Sequence, residues 1–452
     1  METKIKPILL IALMTWTLGA SAKDFTVSYH GPSDYTQAIQ QAIDDCTASG
    51  GGTVTFETSA AENTIYTSGP VELKSNVTFV LPAGTVWQAN PDEKLYTKSA
   101  FGENRGEGML WLWAKDAKNI AFSGQGILDG NGVAFMGKEL EDSYELKPVT
   151  TFDPRPHVLT LYGCSNISLR DITIRNGAYW TVHLVGCENA VIDGVNLLNN
   201  LKIRNGDGID IDHSRHVRVS NCHITSGDDC ICLKNRREFA QYGSCHDITV
   251  TNCTMTSRSC AFKIGSENMD SIYNVSVDNC IITRSNRGIG IQNRDEGTVT
   301  DVSFSTIILD CRLWSDVWWG KAEPIYVTSY PRADGNNKDA NWRFAKGQTQ
   351  GKCGEVSRIY FSNIFATSEN GCFIGEDEPG KVKDIYLDNV HINLKKLTSY
   401  PGGIYDKRPC KGEGFVRDKI YAVYIDGADS VALDGLQVNA HIANLGGVTN
   451  VK

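Results

Sequence analysis

The chain has 452 residues, a formal net charge of −9 and 41% hydrophobic residues. This composition is typical of a globular protein with a sizeable core, and the negative charge argues against a general attraction for nucleic acid or anionic membranes. We therefore expect no nucleic-acid partner. We also expect no membrane span and a monomer. A polyanionic substrate would have to meet a local cluster of basic residues.

The first 22 residues have the pattern of a secretory signal peptide. Two lysines precede an apolar run from Pro7 to Leu18, and the stretch ends in Ala-Ser-Ala, the small residues that signal peptidase requires. The apolar run is too short to span a bilayer, which disfavours a membrane anchor. We predict cleavage after Ala22 and export to the periplasm or the medium.

A helix is predicted soon after this segment, in the sequence "DYTQAIQQAIDDCTASGGGTVTF". It places Ala38, Ile39, Ala42 and Ile43 at helical spacing, and three glycines then lead into a strand. Such a helix would cap the open end of a repeat structure and hide its unpaired strand.

A nine-residue phrase recurs along the rest of the chain, with apolar residues at its second, fourth, seventh and ninth places. Two short alternating runs split by Asn, Asp or Gly predict two strands joined by a tight turn. The phrases are "NISLRDITI" at 166, "NAVIDGVNL" at 189, "HVRVSNCHI" at 216, "DITVTNCTM" at 247, "NVSVDNCII" at 274, "DVSFSTIIL" at 301, "RIYFSNIFA" at 358, "DIYLDNVHI" at 384 and "SVALDGLQV" at 430.

The first six phrases start 23 to 31 residues apart, which is the period of a repeat architecture. One such coil cannot bury its inner face alone, so coils must stack about 4.8 Å apart, as neighbouring strands do. We predict an all-β solenoid, with residues 23–452 forming one domain that carries loop insertions towards its C-terminal end. An antiparallel sandwich fits the long-range self-similarity poorly.

All 14 cysteines lie after the signal segment, a pattern that in exported proteins usually indicates disulfides. Three of them, Cys222, Cys253 and Cys280, occupy the seventh place of the phrase, where other coils have aliphatic residues. We therefore interpret them as a buried stack of small hydrophobic side chains. A zinc site is disfavoured because no histidine shares these places. Disulfides among Cys353, Cys372 and Cys410 stay open.

Two acidic motifs lie about one coil apart: "NGDGID" at 205 and "GDD" at 227. We expect Asp207 and Asp228 at equivalent places on adjacent coils, with Asp229 beside them. Three carboxylates so close repel one another and raise at least one pKa. A protonated carboxyl beside ionised neighbours is what glycoside hydrolysis requires. The alternatives are ordinary turn residues and calcium ligands.

At these residues the chain resembles glycoside hydrolase family 28, the polygalacturonase and rhamnogalacturonase family. The family's Asn-Thr-Asp-Gly-x-Asp motif is similar to "NGDGID", and its Gly-Asp-Asp motif to "GDD". Further similarity lies in "GPVELKSNVTFVLPAGT", "GQGILDGNG" and "RPHVLTLYGCSNISLRDITIRNGAYWTVHL". The resemblance covers about two thirds of the chain and implies a right-handed parallel β-helix.

The resemblance also implies a mechanism. Asp228 would protonate the glycosidic oxygen, while Asp207 and Asp229 would activate a water molecule on the opposite face of the sugar. The reaction inverts the anomeric configuration and needs no metal and no cofactor. Inverting enzymes commonly separate acid and base by about 6.5–9.5 Å.

Two departures from the galacturonan hydrolases concern the substrate. Cys260 stands where they have the histidine of Gly-His-Gly, and Gly290 and Gln292 replace the Arg and Lys of Arg-Ile-Lys. The lost Arg and Lys are the groups that hold a galacturonate carboxylate in the family. We therefore expect rhamnogalacturonan or a modified galacturonan rather than the unbranched polymer.

Several side chains near the motifs are candidates for substrate contacts, each weighed against a role at a solvated edge or in packing. Cations would meet an acidic substrate, and exposed tryptophans stack on sugar rings. The candidates are Lys234, Lys263, Glu267, Arg287, Gln292, Arg294, His183 and Trp319.

The sequence thus predicts an exported hydrolase of an acidic, pectic polysaccharide. Two alternatives from other classes stay open: a calcium-dependent polysaccharide lyase on the same architecture, and a noncatalytic glycan-binding solenoid. Exo or endo action is not encoded in any pattern we recognise.

Overall fold

In the computed structural model, the described residues are 23–59, 63–102, 107–138, 144–149, 153–332, 352–410, 413–442 and 445–451. The predicted signal peptide lies outside these ranges. Within them the chain is a right-handed parallel β-helix, as predicted. Strands of successive coils pair in parallel and build two long sheets.

The larger sheet, sheet A, has 21 strands that come mostly from the repeated phrase. They are β1 Lys23–Val27, β2 Gly52–Phe56, β3 Thr64–Ser68, β5 Val77–Leu81, β6 Thr85–Ala89, β8 Lys118–Gly124, β9 Ile127–Asp129, β11 Ser165–Arg170, β12 Thr173–Arg175, β14 Glu188–Asp193, β15 Asn196–Leu198, β17 Arg215–Ser220, β18 His223–Ser226, β20 Cys245–Thr251, β21 Thr254–Ser257, β23 Ile272–Ser285, β25 Val299–Cys311, β27 Val356–Ser368, β29 Val382–Leu394, β33 Val431–Ala432 and β34 Gln437–Ala440.

The second sheet, sheet B, has 12 strands, and the two acidic motifs lie at the starts of two of its interior strands. They are β4 Val71–Glu72, β7 Met109–Lys115, β10 Pro156–Tyr162, β13 Val182–Val185, β16 Ile209–Asp212, β19 Ile231–Asn235, β22 Cys260–Asn268, β24 Arg287–Asn293, β26 Ile325–Ser329, β28 Cys372–Glu376, β32 Tyr421–Asp426 and β35 Gly446–Val451.

The remaining elements are short. The predicted helix is α1, Thr36–Ala48, which packs Ile39, Ile43 and Cys46 into the core; Ala38, the first of the four residues at helical spacing, is exposed. The other elements are the 3-10 helices Glu93–Leu95, Gly132–Phe135 and Arg237–Tyr242, and the antiparallel strands β30 Ile404–Asp406 and β31 Phe415–Arg417.

The register of sheet A confirms the interpretation of the repeat. His223 pairs with Thr254, and Thr254 pairs with Ile281, so the preceding residues Cys222, Cys253 and Cys280 lie side by side on three successive coils. All three side chains are buried. None of the 14 cysteines forms a disulfide, so the cysteines of sheet A serve packing.

The turn residues of the phrase have a common backbone conformation. Its first and sixth places have positive φ, as at Asn166 (φ 57°) and Asp171 (φ 56°), and again at Asn274 (φ 54°) and Asn279 (φ 52°). Asn and Asp tolerate this left-handed region better than other non-glycine residues. The turn therefore explains why these two places are rich in Asn and Asp.

No helix among the described residues is long and apolar enough to cross a membrane.

Candidate active site

The two acidic motifs lie directly before two paired strands of sheet B. Ile209 of β16 pairs with Ile231 of β19, and the Gly208 N–H donates to the Asp229 carbonyl at 2.8 Å. Asp207 is therefore in register with Asp229, not with Asp228 as we expected. Paired positions on these two coils are therefore one residue further apart in the sequence than Asp207 and Asp228 are.

The three carboxylates form one compact cluster. One oxygen from each of Asp207, Asp228 and Asp229 lies within 4.8 Å of the others. Asp207 and Asp229 are buried, while Asp228 is partly exposed. The Asn205 N–H donates to Asp228 Oδ2 at 3.3 Å, and Lys263 Nζ donates to Asp229 Oδ2 at 2.7 Å.

The glycines of both motifs allow the backbones to approach closely. A Cβ at Gly208 would lie 2.3 Å from the carbonyl oxygen of Cys230, and a Cβ at Gly227 would lie 2.2 Å from that of Ile203. No side chain fits at either position without moving the backbone. The glycines thus bring the acidic residues of neighbouring coils together.

The environment of the cluster raises the pKa of two of its carboxyl groups above the usual value of an aspartate. Burial, followed by the charge of Asp229, raises the pKa of Asp228 to about 6, although Lys263 opposes the shift. Burial and then Asp228 raise the pKa of Asp207 well above its usual range. Interacting carboxyls titrate as a group, so the cluster retains a proton at pH values where an exposed aspartate is ionised.

The carboxylates lie closer together than we expected. Their nearest oxygens fall within 4.8 Å, whereas a separation of about 6.5–9.5 Å is typical of inverting enzymes. The spacing therefore does not itself indicate inversion. What it provides is three acidic groups around one point, of which one can be protonated while another is ionised.

The side chains of sheet B next to the cluster form a row across successive coils. In register, His183 pairs with Asp210, Asp210 with Cys232, Cys232 with Lys263, and Lys263 with Gly290. Of the predicted substrate ligands, Lys263 contacts the acidic cluster directly.

Lys234 lies beneath this surface rather than on it. Its side chain is 3% exposed and its Nζ lies 2.6 Å from Asp210 Oδ1 and 3.7 Å from the centre of the Trp180 ring. Burial opposes its charge, but Asp210 holds the pKa of Lys234 well above its usual value. This buried ion pair therefore has a structural role beside the acidic cluster.

The departures at Cys260 and Gly290 are structurally linked. A Cβ at Gly290 would lie 2.9 Å from Cys260 Sγ and 3.1 Å from Arg287 Cδ. The space for a larger side chain at 290 is therefore already filled. Arg287 itself is buried, donates to both carboxylate oxygens of Glu323 at 3.2 and 3.3 Å, and lies over the Tyr326 ring.

Arg294 and Gln292 contact the loop that follows β30, at Lys407 and Arg408. Arg294 is fully buried and donates to Thr328 Oγ1, to the Tyr326 hydroxyl and to the Lys407 carbonyl, each at 2.9 Å. Gln292 Nε2 donates to the Arg408 carbonyl at 2.5 Å. In the structure both side chains contact protein groups beneath the loop.

The other candidates differ in exposure. His183 is fully buried, with Nε2 3.3 Å from Asp212 Oδ2, and burial lowers its pKa. Glu267 lies 3.7 Å from Arg236 and is partly exposed. Trp319 is 38% exposed on the insertion after β25.

Sequence reasoning missed two charged residues near the site. Asp210 and Asp212 are fully buried partners of Lys234 and His183. The alternation Ile-Asp-Ile-Asp at 209–212 indicated the two aspartates, because its isoleucines point into the core and its acids away from it.

Comparisons with known proteins agree with this arrangement. The sequence profile of "Glycosyl hydrolases family 28" matches residues 46–311. An endo-polygalacturonase of Pectobacterium carotovorum subsp. carotovorum is 25% identical over 349 residues, which is 72% of this chain and 81% of that protein. A probable endo-xylogalacturonan hydrolase A of Aspergillus flavus is 27% identical over 296 residues, 62% of this chain and 65% of that protein.

A solved structure has the same fold. The family 28 exopolygalacturonase of Yersinia enterocolitica superposes with a TM-score of 0.67 at 18% identity, covering 96% of this chain and 79% of that one. The family profile extends over more than half of the chain and includes both acidic motifs. The protein therefore belongs to family 28 of the glycosyl hydrolases.

Proposed function

We propose that this glycoside hydrolase cleaves an acidic pectic polysaccharide or oligosaccharide with inversion, using Asp228 as the general acid and Asp207 with Asp229 to activate water. The observation that carries the proposal is the cluster of three carboxylates, whose oxygens lie within 4.8 Å of one another next to the starts of β16 and β19. Its relatives include proteins named polygalacturonase and xylogalacturonan hydrolase.

The roles follow from the surroundings of each group. Asp228 is the partly exposed member of the cluster and has a raised pKa, as a proton donor to a bound substrate requires. Lys263 Nζ donates to Asp229 Oδ2 at 2.7 Å and places a positive charge beside that carboxylate. In this proposal Asp229 and Asp207 orient a water molecule between them.

Within the pectic class, we propose rhamnogalacturonan or a modified galacturonan as the substrate. Gly290 and Gln292 do not supply the Arg and Lys of the galacturonan hydrolases, and the space at 290 is filled by Cys260 and Arg287. Lys263 remains as a cation that an acidic sugar could approach, and Trp319 is exposed. The other residues that the sequence predicted as substrate ligands contact protein groups instead, and we propose them as positioning residues: Glu267, His183, Lys234, Arg287, Gln292 and Arg294.

A panel of polysaccharides tests the proposed function. New reducing ends are expected from rhamnogalacturonan, xylogalacturonan or esterified galacturonan, and at a lower rate from unbranched polygalacturonan. Neutral arabinan and galactan should stay intact. Cleavage of the neutral polymers only, or of no polymer in the panel, would contradict the proposal.

The pH profile should reveal the general acid. Asp228 donates a proton only below its pKa of about 6, so kcat/KM is expected to fall as the pH rises above about 6. Lys263→Gln removes a charge that lowers this pKa, and the falling limb should therefore move to higher pH. A limb that stays in place or moves to lower pH would argue against Asp228 as the titrating acid.

A calcium-dependent lyase is the second candidate, because three clustered carboxylates offer oxygen ligands of the kind that calcium prefers. The ammonium group of Lys263 already lies 2.7 Å from Asp229, and its charge opposes a second cation at the same oxygens. This contact favours hydrolysis without a metal.

We also infer that residues 23–452 form one exported monomeric domain without nucleic-acid partners. One apolar cluster extends from Val27 to Ala428, which supports a single core. Export is tested by sequencing the N-terminus of the mature protein, which should begin at Lys23.

A further inference from the structure

The outer face of sheet B is covered on both sides of the acidic cluster. Along each strand, side chains alternate between the core and the outer face. The outer row beside the cluster has these members on successive coils: Asp210, Cys232, Lys263, Gly290, Tyr326 and Phe373. Lys263 is partly exposed, and the other five residues are buried. The open part of this row is therefore short and lies at β22.

The residues 404–408, which we call the crossing segment, cover the outer face on the C-terminal side of Lys263. The Arg408 carbonyl accepts a hydrogen bond from Gln292 Nε2 on β24 at 2.5 Å. The Asp406 carbonyl accepts one from the Tyr326 hydroxyl on β26 at 2.7 Å. The crossing segment thus lies directly on two neighbouring strands of sheet B.

Aromatic packing fixes the crossing segment in place. The Tyr405 ring lies 5.6 Å from the Phe373 ring and 4.3 Å from the Tyr424 ring. These residues and Tyr326 belong to a hydrophobic cluster that is separate from the main core, whereas Val327 belongs to the core. The outer face from β26 to β32 is therefore packed like an interior.

The crossing segment spans the width of sheet B. On one side, the N–H of Gly320, which precedes β26, donates to Asp406 Oδ2 at 3.0 Å. On the other side, Arg294, which follows β24, donates to the Lys407 carbonyl at 2.9 Å. A chain lying on the sheet cannot pass this segment on either side.

The opposite end of the open stretch is covered by aromatic rings. His183, on the coil before Asp210, is fully buried. Its ring lies 4.8 Å from the Trp180 ring, which lies 5.2 Å from the Phe101 ring. The Arg236 guanidinium lies 4.2 Å from the centre of the Phe101 ring.

A contact between two loops closes the side where the strands start. The rings of Tyr144, from the segment between β9 and β10, and Trp318, from the insertion between β25 and β26, lie 5.9 Å apart. The crevice between these loops and Gly227 has a volume of about 10 Å³, which is room for one water molecule. A sugar chain cannot leave the site through this crevice.

We propose that the enzyme attacks its polysaccharide at a chain end and releases a monosaccharide or a disaccharide. A polymer that is cut in its interior must continue on both sides of the acidic cluster, and the crossing segment blocks one of these directions. From β19, which follows Asp229, to β24 there are two strand spacings, roughly 10 Å, enough for a short chain end. The inference rests on the proposed function and adds where along the polymer the enzyme cuts.

The size of the first products tests this mode of attack. Wild-type enzyme is incubated with rhamnogalacturonan and with modified galacturonan, and partial acid hydrolysis of the same polymers provides random cleavage for comparison. Monosaccharides or disaccharides are expected from the first time point, without longer oligosaccharides. At equal numbers of new reducing ends, the loss of viscosity should be several-fold smaller than in the acid-treated sample.

A ladder of oligosaccharides with a rapid loss of viscosity would overturn attack at chain ends and uphold the proposed hydrolysis. Absence of new reducing ends on every polymer would overturn the proposed function and this inference with it.

A shortened loop tests the role of the crossing segment. The Lys407 N–H donates to the Gly414 carbonyl at 2.8 Å, so an Asn-Gly turn can join these two residues in place of 408–413. The variant loses the contact with Gln292 and is expected to release longer oligosaccharides than the wild type. Its urea midpoint shows whether it is folded.

Lys407→Gln is the matched control, because it keeps the backbone of the crossing segment, and its products should equal those of the wild type. Products of unchanged length from a folded loop variant would contradict a block by the crossing segment.

Discussion

Replacement of Asp228 by asparagine is expected to lower kcat on an acidic pectic oligosaccharide by about 10²–10⁴-fold, the usual contribution of a general acid. Asparagine preserves the shape of the side chain but cannot protonate the leaving oxygen. The measurement is the rate of formation of reducing ends at saturating substrate. Asp388→Asn, an exposed aspartate on β29, is the matched control and should retain full activity.

The leaving group separates acid from base. An aryl uronide that releases a strongly acidic phenol needs no proton donor, so Asp228→Asn should recover most of its activity on such a substrate. Asp207→Asn should not recover, because activation of water is still required. Full activity of Asp228→Asn on the natural linkage, or rescue of Asp207→Asn instead, would reassign the acid.

Replacement of Lys234 by methionine is expected to destabilise the protein by about 3–5 kcal/mol, the usual cost of removing one partner from a buried ion pair. Asp210 is fully buried, and burial already raises its pKa to about 7 although Lys234 opposes the shift. Without Lys234 this carboxyl is left uncompensated and takes up a proton. Urea unfolding at pH 7 measures the loss.

The double variant with Lys234→Met and Asp210→Asn is the control for this pair. It removes both charges and should be more stable than Lys234→Met alone. If Lys234→Met instead keeps its stability and raises KM for the substrate, Lys234 is a substrate ligand, as the sequence led us to expect. This comparison decides between a supporting and a binding role.

The β-helix could be predicted because its signal is local and repeated. Each coil places apolar residues at fixed positions of the phrase, so Cys222, Cys253 and Cys280 could be assigned to one stack before any pairing was known. The left-handed turn at residues such as Asn166 favours Asn, Asp or Gly, and these residues marked most of the coil boundaries. The pattern that reveals the β-helix is set within nine consecutive residues, so it can be recognised without knowing any long-range contact.

The contacts of single charged side chains could not be predicted, because their partners are distant in the chain. Arg287 pairs with Glu323, which lies in the segment between β25 and β26. Arg294 donates to the Lys407 carbonyl. The register of Asp207 with Asp229 depends on the exact length of one coil. Lys263 differs from these cations because its partner belongs to a recognisable motif.

Proton NMR during cleavage of an acidic pectic oligosaccharide distinguishes inversion from retention and hydrolysis from elimination. We expect that the first reducing ends have the inverted anomeric configuration and equilibrate later, and that Asp228→Asn gives no such signal at comparable times. A first product with retained configuration would contradict the assigned roles of the three aspartates. The vinyl proton of an unsaturated uronide would show a lyase instead.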